Sequence, residues 1–243
     1  MVKSSARKEL KKDQLADFIS KVILWIKVHR ETSLSLLGIL ILGSSLSGYI
    51  IHHLKKTNER AWERLSFAQA HYHRNFYNEA LNLYDEILQV YQRSPVANYA
   101  MFYKAETLYQ LKKYREASEI YQNYLIKHKQ KNLIPLAYAG LGASFEAQEN
   151  FVQAIGVYQQ FLNRFSEHFF RPIIYLSLAR CYQHNNQKSE AANTYERVIT
   201  SYPGSNWQKI AERELRFSQM VTKPFEGSIP NKEVEISTSS ILK

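Results

Sequence analysis

The sequence predicts an all-α chain: one apolar membrane-spanning helix, then an α-solenoid of four 37-residue helix-pair repeats closed by a capping helix. Three observations carry that prediction. Residues 32–54 run for 23 positions without a Lys, Arg, Asp or Glu. An alanine–tyrosine pattern returns every 37 residues between Ala80 and Tyr195. The 243 residues hold only 8 Gly and 6 Pro, with 45% hydrophobic residues, which argues against collagen-like, turn-rich all-β or wholly disordered chains.

The formal net charge is +10, and half of it sits at one end. Residues 1–30 carry eight basic side chains (Lys3, Arg7, Lys8, Lys11, Lys12, Lys21, Lys27, Arg30) against Glu9, Asp13 and Asp17. A basic balance of this size suits a nucleic-acid binder. Its concentration just before an apolar stretch favours a membrane instead. Within residues 8–29, Leu15, Phe18, Val22 and Trp25 recur at helical spacing while Lys11, Lys12, Asp17 and Lys21 fall elsewhere. That is a basic amphipathic helix suited to the headgroup layer, although a soluble partner would cover the same stripe.

The apolar stretch contains the run Leu34-Ser35-Leu36-Leu37-Gly38-Ile39-Leu40-Ile41-Leu42-Gly43. As a helix it would span the ~30 Å hydrocarbon core. A cleaved signal peptide is disfavoured, because the preceding charged region is long and no Ala-x-Ala site follows the run. An uncleaved anchor over residues 31–55 is the preferred reading, in contact with the lipid bilayer. Eight Lys/Arg precede it and three (Lys55, Lys56, Arg60) follow within ten residues, which places the N-terminus in the cytoplasm and the rest on the far side. Ser44 with Gly48, and Gly43 with Ser47, are small-residue pairs through which two anchors would pack into a homodimer.

The repeat begins at residue 61. Ala80, Ala117, Ala154 and Ala191 stand 37 residues apart, as do Tyr84, Tyr121, Tyr158 and Tyr195 four positions later. Leu88, Leu125, Leu162 and Ile199 keep the same step. Twelve residues before each alanine is another small residue: Ala68, Ala105, Gly142 and Ala179. Each unit therefore reads as two antiparallel helices joined by a short polar turn, such as His73-Arg74-Asn75 or Gln148-Glu149-Asn150. Pro95, Pro135, Pro172 and Pro203 fall between units, where helices stop or start. One unit cannot bury its apolar face alone, but stacked neighbours can.

This pattern resembles the tetratricopeptide repeat over residues 61–208, with Tyr202-Pro203-Gly204-Ser205 resembling the inter-repeat turn of bacterial envelope members. Departures are Lys104 at an apolar place, and Gln92, Lys129 and Ser166 at the usual proline place. Residues 205–221 read as the capping helix, within a repeat domain of residues 56–221. Residues 222–243 read as a disordered tail. The order of elements is similar to YfgM-type inner-membrane proteins. That resemblance implies a scaffold or chaperone-like adaptor displayed in the periplasm near the Sec translocon. Rival readings are a coordinator of envelope assembly, cell-wall or outer-membrane biogenesis, and a regulatory subunit of a membrane complex.

No catalytic motif appears, and no enzyme activity or cofactor is expected. Gly140-Leu141-Gly142 lacks the third glycine of a dinucleotide loop, and no P-loop, Gly-x-Ser-x-Gly or His-Glu-x-x-His is present. His52-His53 and the His71 and His73 pair are read as exposed histidines and not as metal ligands. The single cysteine, Cys181, is read as a buried inert thiol. The 17 tyrosines would suit base stacking, but their place in the repeat columns assigns them to packing, so no nucleic acid is expected.

The resemblance puts the working surface on the concave face formed by the first helix of each pair. By register the groove residues for a protein or peptide partner are Trp62, Leu65 and Tyr72, then Tyr99, Phe102, Glu106 and Tyr109, then Leu136, and finally Leu176 and Arg180. Repeat modules of this family that clamp a C-terminal carboxylate use Lys, Asn and Arg at the matching places. Here those places hold Leu65, Gln69, Phe102, Glu106, Ala139, Ala143, Leu176 and Arg180, so the clamp is not expected. An apolar segment anchored on aromatic side chains suits the groove better.

Overall fold

Ten helices and no strands make up the described residues, 3–127 and 132–222, of the computed structural model. The chain divides into two units, Met1–Glu63 and Arg64–Lys243. In the first, α1 (Lys3–Val28) is followed at once by α2 (Arg30–His73). The amides of His29 and Ser33 keep i→i−4 bonds to Trp25 and His29, both at 2.9 Å, so helical hydrogen bonding continues through the junction. Phe18, Val22 and Trp25 are exposed along α1, whereas the side chain of Leu15 lies outside the described set.

An 18-residue stretch of α2 reaches a mean hydropathy of 2.0, and by length and composition alone the helix is long and apolar enough to cross a membrane. Leu34, Ile39, Leu40, Ile41 and Leu42 are all exposed. Three of its hydroxyls are turned back onto the backbone: Thr32 donates to the His29 carbonyl (3.0 Å), Ser35 to Glu31 (2.9 Å) and Ser44 to Ile41 (2.9 Å). Such back-bonding satisfies these polar groups without water. The helix runs without a break across the boundary expected at residues 55/56.

In the second unit the tail of α2 is followed by α3 (Tyr77–Val90), α4 (Val96–Gln110), α5 (Tyr114–Lys127), α6 (Ile134–Ala147), α7 (Phe151–Arg164), α8 (Arg171–His184), α9 (Lys188–Ser201) and α10 (Asn206–Thr222). From α3 onward each helix packs on the next. The pairs α4–α6, α6–α8 and α8–α10 touch as well. Contact between alternate helices on that side alone makes it the inner, concave side of a solenoid, with α3, α5, α7 and α9 outside. Most of the tail expected over residues 222–243, and Lys129, lie outside the described residues.

The turn inside each helix pair follows one rule. Asn75, Lys112, Glu149 and Asn186 all adopt left-handed backbone, with φ of 63°, 59°, 60° and 59°. Each closes two bonds of a Schellman motif. The amides of Asn75 and Phe76 donate to Tyr72 (3.0 Å) and His71 (2.9 Å), and the same pair of bonds recurs from Lys112 and Lys113, Glu149 and Asn150, and Asn186 and Gln187. Glycine is the usual residue here because a Cβ costs roughly 1 kcal/mol in this conformation. Asparagine adopts it at lower cost than lysine or glutamate. Lys112→Gly and Glu149→Gly are expected to raise stability by about 0.5–1 kcal/mol each. Asn75→Gly should gain less. Urea melts of the three variants check the order.

The next helix starts on the same template. The amides of Ala80, Ala117, Ala154 and Ala191 close its first turn onto Phe76, Lys113, Asn150 and Gln187, each at 3.0 Å. Those alanines and the four column tyrosines are all buried, so the tyrosine columns are core and not a stacking platform. The small-residue column is buried too. Pro135 and Pro172 occupy the first turn of α6 and α8. Lys104 departs from the apolar pattern because its ammonium reaches Asp85 on α3 at 2.5 Å. At the far end the Gln208 amide donates to Ser205 Oγ (3.2 Å) and the Gln208 side chain accepts from the Gly204 amide, which caps α10.

A candidate interaction groove on the concave face

The concave face opens where α6 presents its smallest side chains. Ala139, Gly140 and Ala143 line a groove of about 460 Å³ together with Glu106 and Tyr109 of α4, Leu136 of α6 and Ile173 of α8. Tyr121 and Tyr158 reach it from the outer helices α5 and α7. Gly140 is required for that approach: a Cβ there would sit 2.4 Å from Tyr121 Cζ. The lining is mostly apolar, and its one carboxylate among the described residues is Glu106.

Three column tyrosines bond to polar side chains of the inner helices. The Tyr121 hydroxyl donates to Glu106. The Tyr158 hydroxyl donates to Glu146 at 3.0 Å, and Tyr195 donates to Gln183 at 3.0 Å. Glu146 is also ion-paired with Arg180 across the α6–α8 step. Burial opposes charge on Arg180, but the hydrogen bond and the charge of Glu146, with smaller contributions from Tyr158 and Cys181, together outweigh it and hold the guanidinium pKa up. Tyr121 and Tyr158 are pushed well above the usual phenol range, first by burial and then by the neighbouring Glu106 and Glu146.

Burial raises the Glu106 carboxyl above the usual carboxylate range, against the opposing pull of the Tyr121 hydroxyl. The charge of Glu106 in turn contributes to raising Tyr72, Tyr109 and Tyr121, after burial. A raised carboxyl binds its proton more tightly in the fold. Its stabilising contribution is therefore present below the ordinary pKa and is lost as pH rises through the folded one. Glu106→Gln keeps an acceptor for Tyr121 and removes the charge. It is expected to melt above the wild type at pH 7, with the difference shrinking toward pH 4. Thermal melts at both pH values measure it.

The residues expected to line one continuous groove separate into distinct environments. Phe102, Glu106, Tyr109 and Leu136 come together in the groove described above. Leu176 and Arg180 line a second cleft of about 330 Å³ with Trp207, Ile210 and Glu214 of α10. Tyr72 is half-buried, edge-on to Tyr77 at 5.6 Å, and Tyr99 packs on the core. Trp62 is exposed and belongs to the N-terminal unit. Leu65, Phe102 and Leu176 are 2%, 4% and 7% exposed, so little of each is accessible. Phe102 is fixed edge-to-face on Tyr121 and Tyr124, each at 6.0 Å. Sequence reasoning placed Tyr121 and Tyr158 only in the core, and nothing in their columns signals that their hydroxyls also border the groove.

Among the described residues no cluster of three or more His, Cys, Asp or Glu is arranged to hold a metal. Cys181 is buried, and burial pushes its thiol up to about 12, so it is not a nucleophile at neutral pH.

Family models of the tetratricopeptide repeat match residues 65–132 and 174–205. Those two stretches carry tetratricopeptide repeats. Between the two matches, α6 and α7 keep the same left-handed turn residue and the same buried alanine and tyrosine. A solved structure of MamA (residues 41 to the end) from Desulfovibrio magneticus RS-1 superposes with a TM-score of 0.58, 14% identity, and coverage of 68% of this chain and 86% of that one. A putative kinesin light chain with nearly identical TPR-like repeats, from Podosopora anserina, gives 0.56, 17%, 67% and 87%. At these identities the likeness is one of fold. No curated protein matches the chain.

Proposed function

We propose that this protein is a membrane-anchored, non-enzymatic interaction scaffold that holds a segment of another protein in its concave groove. The groove carries the reading: an apolar trough of about 460 Å³ floored by Ala139, Gly140 and Ala143 and edged by Tyr109, Leu136 and Ile173. Rigid aromatic edges and a small-residue floor suit an extended or helical segment with apolar side chains. Tetratricopeptide repeats generally serve as adaptors of this kind, and a chaperone-like role near a translocon fits a groove that takes apolar segments.

The anchor in this reading is residues 31–55, in the inner membrane, with residues 1–30 cytoplasmic and the repeats on the outer side. Support comes from the exposed apolar stretch of α2 and from the excess of Lys/Arg before it. A reporter active only outside the cytoplasm, fused after residue 221, is expected to be active. Activity from a cytoplasm-only reporter at the same position would reject the orientation. Full release of the chain by high salt or carbonate would reject the anchor.

A further inference from the structure

Glu106 has an open side. Its carboxylate accepts the Tyr121 hydroxyl and lines the groove among apolar and aromatic groups. Glu146, on α6, is differently placed: Arg180, 34 residues on, crosses from α8 to pair with it. Thirty-four residues on from Glu106, across the α4–α6 step, stands Gly140, which has no side chain to offer. Ala143, the residue that occupies the repeat column of Glu106 and Arg180 in the intervening unit, offers only a methyl group. The chain as a whole is basic at +10, yet among the described residues the groove lining holds the carboxylate of Glu106 and no Lys or Arg.

From this geometry we infer that the groove selects segments in which a lysine or arginine is flanked by apolar residues, with Glu106 accepting the cation. This rests on the groove being the partner site. The carboxylate is already withdrawn from water in the free protein, so an incoming cation offsets a desolvation cost the fold has taken on. The apolar walls lower the local dielectric and strengthen the pair relative to one on an open surface. An acidic segment meets Glu106 as a like charge and is turned away.

The test uses the full chain in detergent micelles and a displayed library of random dodecapeptides. Selected peptides are expected to be enriched in Lys or Arg with apolar neighbours. A synthetic peptide of the selected sequence should lose roughly tenfold or more in affinity for Glu106→Gln, the loss of one charge-assisted bond. Glu106→Lys should instead select acidic peptides, an inversion that a merely structural role for Glu106 would not produce. Glu106→Gln is the variant expected to keep the fold, checked by its helical circular dichroism. Apolar peptides without cation enrichment, bound equally by wild type and Glu106→Gln but lost on filling the groove with Ala143→Leu, would overturn the cation preference and leave the groove standing. Selected peptides indifferent to both Glu106→Gln and Ala143→Leu, or no selection at all, would overturn both.

Discussion

Replacing Tyr121 with alanine is expected to lower the unfolding free energy of the repeat array by about 3–5 kcal/mol, the range for emptying a large aromatic site. Tyr121 is fully buried, packs edge-to-face with Phe102 at 6.0 Å, and lies so close over Gly140 that no Cβ fits between them. Its hydroxyl also serves Glu106, which the alanine leaves without that donor. Because stability in a solenoid is a sum of neighbour interfaces, the loss is felt on both the α4–α5 and α5–α6 contacts. Tyr121→Phe keeps the ring and should cost about 1–2 kcal/mol, the price of one buried hydrogen bond. Urea melts of the two variants separate ring from hydroxyl. A Tyr121→Ala protein as stable as the wild type would return this tyrosine to the surface.

Gly142→Ala is expected to destabilise by about 1–3 kcal/mol, although alanine is the better helix former by roughly 1 kcal/mol. The other three units carry alanine in this column, at Ala68, Ala105 and Ala179. Here a Cβ would fall 2.3 Å from Tyr158 Cε1, and that ring is buried and held through its hydroxyl by Glu146. Gly142→Val should be worse. Gly156→Ala, where nothing lies within 4 Å of the added carbon, is the matched control and should stabilise by about 0.5–1 kcal/mol. Thermal melts of the pair decide the matter. A stabilised Gly142→Ala would mean that the α6–α7 packing is looser than described.

The solenoid was legible in the sequence because its determinants are periodic. Ala80, Tyr84 and their equivalents bury the same surfaces in every unit, and Pro135 and Pro172 mark helix starts as proline should. The left-handed turn was not legible, because it is filled by Asn75, Lys112, Glu149 and Asn186, with no glycine to mark it. The groove was half legible. Register places Phe102, Tyr109 and Leu136 on one side of their helices, but accessibility is set by the sizes of the facing residues. Beside Ala139 and Ala143 the face is open; Phe102 borders it, but its ring is mostly covered and packs edge-on to Tyr121 and Tyr124. The pairing of Lys104 with Asp85, 19 residues away, depends on how α3 and α4 pack, which no short-range pattern encodes.

Site-specific photo-crosslinking in the membrane-bound full chain tests the central claim most directly. A photoreactive phenylalanine at Tyr109, in the groove, is compared with one at Asn193, on the outer face at α9. The account predicts a discrete protein adduct from Tyr109 that disappears when Ala143→Leu fills the groove, and none from Asn193. Adducts from Asn193 alone, or Tyr109 adducts indifferent to the filled groove, would contradict it.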